Sequence, residues 1–137
     1  MLKLTILTPE RRLLVTQEVE EVTVPGFRGE LNILEGHAPL ITTLETGVLR
    51  WKLKGKDRQD LAAISWGYCQ VNAQGVNVLG AIVDTPEEID LPSAKEKLAN
   101  AEKKIMNEVT SEEEISALTK EIAHSRVKIE LAEKIIK

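Results

Sequence analysis

Apolar and polar residues alternate in short runs along the first part of the chain. In LKLTIL, Leu2, Leu4 and Ile6 share one face, and in EEVTVP, Val22 and Val24 do the same. In VLRWKLK, Leu49, Trp51 and Leu53 oppose Arg50, Lys52 and Lys54, and VNVLGAIV closes the series just before Asp84. A period of two sends successive side chains to opposite faces of a strand, so each run predicts a strand with one buried face. Turn residues divide the runs: PGFRG at 25–29, KGKD at 54–57 and NAQG at 72–75. Many short strands at this spacing predict an antiparallel β-sandwich, or flattened barrel, over residues 1–84.

After Asp84 the period changes. TPEEIDLPS interrupts the strands with Pro86 and Pro92 and reads as a hinge over residues 85–90. Asp90 is placed to cap a helix that carries Pro92 in its first turn, where the missing N–H costs little. Ala94, Leu98, Ala101 and Ile105 then recur at helical spacing. NEVT breaks the pattern, and Ser111 with Glu114 forms an S-x-x-E capping box for a second helix. That helix carries Ile115, Leu118, Ile122, Ile129, Ala132 and Ile136 along one stripe, with Ser125 as its weak point and His124 beside it, expected to be partly exposed. A short connection between amphipathic helices predicts an antiparallel hairpin over residues 91–137. The fold class is therefore α+β. Two helices of this size cannot bury a core by themselves, so the hairpin requires a partner surface: the sandwich, another chain, or each in turn.

Charge separates the same two parts. Residues 1–90 carry a net −4, whereas residues 91–137 are neutral overall. The hairpin tip is acidic (Glu112, Glu113, Glu114) and the stretch that follows is mildly basic through Lys120, Arg126, Lys128, Lys134 and Lys137. With 42% hydrophobic and 29% charged residues and no long unbroken apolar run, the sequence predicts a core-forming chain without a transmembrane helix or signal peptide. A net charge of −4, with no basic cluster interleaved with aromatics, excludes nucleic acid as the expected partner. The aromatics are Phe27, Trp51, Trp66 and Tyr68, few for stacking on sugars or bases. Cys69 is the one cysteine, which rules out a disulfide framework; in WGYCQV it reads as a small buried hydrophobe.

The residue set offers little chemistry. No phosphate-cradling G-x-x-x-x-G-K-[ST] or nucleophile-elbow G-x-S-x-G occurs. With two histidines, one cysteine and no H-x-x-H or C-x-x-C, no metal site and no cofactor are expected. Glu20–Glu21 and Glu87–Glu88 are adjacent pairs, which a strand sends to opposite faces, so they do not make a general acid and base. Catalytic residues are accordingly none. The stretch GELNILEGHAPLITTLETGVL (29–49) contains three glycines, Pro39 and His37. It is too apolar for a linker and too broken for a helix. Two readings of His37 stand: its ring hydrogen-bonds the tight G-H-A-P loop, or it contacts a partner.

The run P-G-x-x-G-E-L-x-I-L-x-G-H-A-P-L-I-T-x-L-x-x-G-V, carried by Pro25, Gly26, Gly29–Leu31, Ile33, Leu34, Gly36–Leu40, Thr42, Leu44, Gly47 and Val48, resembles the epsilon-subunit family of F-type ATP synthases (delta in mitochondrial naming). Thr8-Pro9-Glu10, Gly67–Val71, Val76–Leu79 and Ile89–Ala94 extend the likeness over essentially the whole chain. The resemblance implies a non-catalytic rotor subunit for proton-driven ATP synthesis, held peripherally at the cytoplasmic face of the bacterial inner membrane. Its sandwich would bind the gamma subunit and rest on the membrane rotor ring, with Gly29, Glu30, His37, Ala38 and Pro39 as the ring and gamma contacts. Its helices would form an arm that enters the alpha/beta catalytic hexamer and inhibits ATP hydrolysis, led by Lys120, Arg126, Lys128 and Lys134. Some members bind ATP through I-D-x-x-R-A and arginines on the second helix. Here Ile89, Asp90, Ala94 and Arg126 keep part of that motif, while Ser93 and Ile122 stand where arginines are expected. ATP binding is thus expected to be weak or absent, with Asp90 acting as a helix cap. The alternative is a nucleotide-sensing regulatory module; a catalytic or carbohydrate-binding sandwich is disfavoured by the missing catalytic set and few aromatics.

Overall fold

The computed structural model describes residues 2–107 and 111–136, with side chains up to Glu133. Nine strands come first: β1 (Leu2–Leu7), β2 (Arg12–Gly26), β3 (Gly29–Leu34), β4 (Leu40–Leu44), β5 (Gly47–Leu53), β6 (Asp60–Ile64), β7 (Gly67–Asn72), β8 (Gly75–Gly80) and β9 (Val83–Asp84). A 3-10 turn at Pro86–Glu88 leads to α1 (Leu91–Asn107) and α2 (Glu112–Ile136). The NEVT interruption falls largely on residues outside those described.

The strands fold into two layers that share β2. In one layer β1, β8, β7 and β4 are neighbours; in the other, β2 carries β3 on one side and β5, β6 and β9 on the other. The early half of β2 pairs with β1 and its later half with β3 and β5. β2 turns this corner near Thr16, whose φ is 45°, opposite a register shift between Leu4 and Ile6. An extra residue on one strand bends it and lets it pass from sheet to sheet. This is why β2 runs for 15 residues, although only EEVTVP shows clean alternation.

One pairing departs from the antiparallel expectation: β1 runs parallel to β8, with Leu4 beside Val76 and Ile6 beside Val78. β1 is already antiparallel to β2, which fixes its direction, and its free edge then meets β8 running the same way.

The alternating residues fill the space between the layers. Leu4, Ile6, Val22, Val24, Ile33, Leu49, Ile64 and Val78 are fully buried there, with Trp51 nearly so. Burying a side chain of this kind stabilises by about 1.5–3 kcal/mol. Cys69 is part of this core, and burial pushes its thiol up to about 11. Among the described residues, no helical residue belongs to the cluster. The two helices pack on each other, and Lys95 near the start of α1 reaches Glu133 near the end of α2 at 3.6 Å, as an antiparallel hairpin requires. α2 lies against β5, β6 and the 3-10 turn. Both caps form: Ser93 N–H donates to Asp90 Oδ1 at 3.2 Å, and Glu114 N–H donates to Ser111 Oγ at 3.2 Å.

Candidate interaction surfaces

The first candidate surface comprises the loops at the two ends of β3. Gly26 pairs with Gly29 to close a hairpin over Phe27 and Arg28, and Gly29 has φ 116°, a conformation that favours glycine. The Arg28 guanidinium lies 5.2 Å from the centre of the exposed Phe27 ring. Glu30 points across the sheet to an ion pair with Arg50. At the other end of β3, Gly36 has φ 87° and His37 N–H donates to Leu34 C=O at 3.1 Å. His37 Nδ1 lies 2.8 Å from Ala38 C=O, so that nitrogen carries the proton. The ring is exposed and braces its own loop, and Ala38 and Pro39 are exposed beside it. Glu30 and His37 are thus two separate points, with most of β3, roughly 13 Å of strand, between them.

The second surface is the outer face of β4–β7–β8. Ile41 is 74% exposed, Tyr68 51% and Leu79 50%. Tyr68 stands directly across from Leu79 on one side and from Thr43 on the other, and Ile41 pairs with Gln70 one step along. These side chains share one exposed face, with Thr43 and Gln70 between Ile41 and the Tyr68–Leu79 pair, and apolar residues exposed together suit a contact site.

The third region joins the sandwich to the hairpin, and two carboxylates organise it. Arg11, in the β1–β2 loop, donates two N–H groups to Glu88, with Nη2 2.8 Å from Oε1, and Nη2 also reaches Val83 C=O at 2.6 Å. Thr85 N–H and its hydroxyl both meet Glu88 Oε1, at 3.1 and 2.7 Å. These hydrogen bonds, Arg11 first, lower the Glu88 carboxyl to about 2. Asp84, at the end of β9, lies 3.1 Å from His124 Nε2 and 3.8 Å from Lys128 Nζ. The hydrogen bond from His124 holds the Asp84 carboxyl below its ordinary range against the opposing effect of burial, and Lys128 adds to it.

His124 is therefore buried, contrary to the expectation of partial exposure. Seen along the helix alone it flanks the apolar stripe; once α2 docks, it faces Asp84. Ser125, the weak point of the stripe, is buried as well. Lys120, His124 and Lys128 recur every four residues and so share one face, which was the signal available in the sequence.

The basic residues of α2 do not form one exposed row. Lys120 Nζ sits 5.5 Å from the Trp66 ring centre, Lys128 is turned toward Asp84, and Arg126 is exposed elsewhere on the helix. The side chain of Lys134 lies outside the described residues. Of the partial nucleotide motif, Ile89 closes the 3-10 turn, Asp90 is engaged as the cap, and Ala94 is buried. Ile122 is half-buried. Among the described residues, no three His, Cys, Asp or Glu side chains converge as a metal site.

Residues 1–84 match the sequence model of the ATP synthase delta/epsilon chain β-sandwich domain. The ATP synthase epsilon chain of Bdellovibrio bacteriovorus is 67% identical over 132 residues, covering 96% of this chain and 94% of its own. ATP synthase epsilon chain 1 of Syntrophotalea carbinolica is 35% identical over 131 residues, covering 96% and 93%. Among solved structures, a chain of the Euglena gracilis mitochondrial ATP synthase (OSCP/F1/c-ring) superimposes with a TM-score of 0.76 at 25% identity, covering 99% of this chain and 81% of that one. A chain of the Tetrahymena thermophila mitochondrial ATP synthase central stalk and c-ring gives 0.70 at 12% identity, covering 96% of each, and so attests the fold.

Proposed function

This chain belongs to the delta/epsilon family of ATP synthase subunits, a non-catalytic part of the central stalk, and we propose that it couples and restrains the rotary machine. The sandwich transmits torque between the gamma subunit and the membrane rotor ring. The helical hairpin is a regulatory arm that suppresses ATP hydrolysis by entering the alpha/beta hexamer. The observation that carries this reading is a strand domain with its own core and a hairpin none of whose described residues joins that core. A rotor element that must hold its grip while a second part moves needs that independence.

The parts take different partners. The apolar face with Ile41, Tyr68 and Leu79 suits a packed protein contact and is assigned to gamma. Gly29 and Glu30, at the start of β3, and His37, Ala38 and Pro39, in the loop after it, are assigned to the ring and its boundary with gamma. Lys120, Arg126, Lys128 and Lys134 are the arm's basic residues assigned to an acidic surface on the hexamer. The domains follow: sandwich 1–84, connecting hinge 85–90, arm 91–137. The complex is membrane-associated, and among the described residues no helix is long and apolar enough to cross a bilayer. The chain is assigned to a peripheral position on the cytoplasmic face.

Removal of residues 90–137 tests the assignment. The shortened chain is expected to stay folded, assemble with the other synthase subunits and support proton-coupled synthesis, while ATP hydrolysis by the complex rises. Unchanged hydrolysis would refute the inhibitory arm, and loss of assembly would refute the sandwich as the binding unit.

A further inference from the structure

We propose that Asp84 is the releasable catch of the helical arm, and that the swivel lies at Ile89–Asp90 instead of being spread over the whole connecting segment. This deepens the reading of the hairpin as a movable arm and rests on it.

The connecting segment is stitched to the sandwich by contacts that do not involve the helices. Arg11 holds both the Glu88 carboxylate and the Val83 carbonyl, and Thr85 closes onto Glu88. Residues 83–88 therefore form a bracket fixed to the strand domain. Ile89 ends the 3-10 turn through its N–H to Pro86 C=O at 3.3 Å, and Asp90 already belongs to α1 as its cap. The backbone between those two commitments is the place where rotation breaks no cap.

The face by which α2 docks is mixed, with Leu131 on α2 and Ala63 on β6 buried alongside polar groups. His124 and Ser125 are buried there, as is Ser65 at the end of β6. Asp84 meets His124 at 3.1 Å and Lys128 at 3.8 Å, and Lys120 covers Trp66. Separating this face returns its polar groups to water, which offsets part of the cost of exposing the apolar ones. The two bracket carboxylates thus divide the work: Glu88 ties the segment back to the strands, and Asp84 ties the arm down. His124 Nδ1 is buried with no hydrogen-bond partner among the described residues. A carboxylate-bearing partner surface can replace Asp84 opposite His124 and Lys128, which makes release an exchange of anions.

The test uses the full chain with spin labels at Lys56→Cys and Glu113→Cys, both exposed, and Cys69 replaced by Ala, with distances read by pulsed electron resonance. Asp84→Asn keeps the shape of the side chain and the backbone pairing with Ala63 but removes the charge. It is expected to raise the ratio of undocked to docked arm about tenfold. Added salt is expected to raise that ratio in the parent chain and much less in the variant. Lys128→Gln, which leaves the strands untouched, is expected to shift the ratio in the same direction and carries the test if Asp84→Asn lowers the melting temperature of the sandwich. Identical distance distributions in parent and variants would overturn the catch while leaving an inhibitory arm standing. Unchanged hydrolysis on removing residues 90–137 would overturn the inhibitory arm while leaving the catch standing.

Discussion

Arg11 and Glu88, 77 residues apart in sequence, meet through paired N–H and carboxylate groups, and the same guanidinium reaches the Val83 carbonyl at 2.6 Å. The contact binds the loop between the first two strands to the segment that leads into the helices. It therefore fixes where the strand domain ends in space.

Replacing Arg11 by Ala is expected to lower stability by about 0.5–1 kcal/mol, the small figure reflecting that both side chains are more than one-third exposed and screened. That corresponds to a melting shift of roughly 2–8 °C for a domain of this size, read by thermal denaturation. Lysine is expected to restore only part of the loss, because a single ammonium cannot reproduce the two parallel N–H groups on Glu88.

Acid should act on the same bracket. The Glu88 carboxyl lies at about 2 in the folded chain against an ordinary 4.5, because Arg11 and Thr85 hydrogen-bond the ionised form. A depressed folded value means that the stabilisation is complete above the unfolded value and drains away as pH falls from about 4.5 toward 2. Asp84, lowered by His124, works in the same direction. The melting temperature of the parent chain should thus fall more steeply across that window than that of Glu88→Gln. Parallel curves would show that the bracket contributes nothing measurable.

Gly67 faces Gly80 across β7 and β8, and a Cβ at Gly67 would lie 2.0 Å from the Leu79 carbonyl oxygen. Backbone cannot yield there without parting the strands. Gly67→Ala is expected to cost about 3 kcal/mol or more in urea unfolding. Gly36→Ala meets nothing within 4 Å and pays only for its φ of 87°, about 1 kcal/mol.

The isolated chain should show no saturable binding of ATP at sub-millimolar concentration in a calorimetric titration. Asp90 is committed to Ser93 N–H, and Ser93 and Ile122 supply no phosphate-reaching cation where arginines are expected. Each missing charge-assisted contact is worth about 1.5–3 kcal/mol. Restoring arginine at both positions is expected to tighten binding, and clear saturation of the unaltered chain would refute the prediction.

Much of the fold was legible because it is written in local periods. Leu2, Leu4 and Ile6 announce a one-faced strand, and Ala94, Leu98 and Ala101 announce a helix, since the geometry of each element fixes which neighbours share a face. Asp90 and Ser111 cap their helices for equally local reasons. The apolar face was less visible. Ile41, Tyr68 and Leu79 come from strands far apart in sequence, and only the register of β4, β7 and β8 assembles them.

By itself, then, the sequence determined the one-faced runs of β1, the later half of β2, β5 and β8, the two helices and their caps, all set by contacts within a few residues. The tertiary structure alone decided that β2 turns a corner to serve both layers, that β1 lies parallel to β8, and that His124 is buried against Asp84. Those outcomes join residues dozens of positions apart. A chain's local pattern states what each side chain needs, and packing in three dimensions chooses the partner that meets the need.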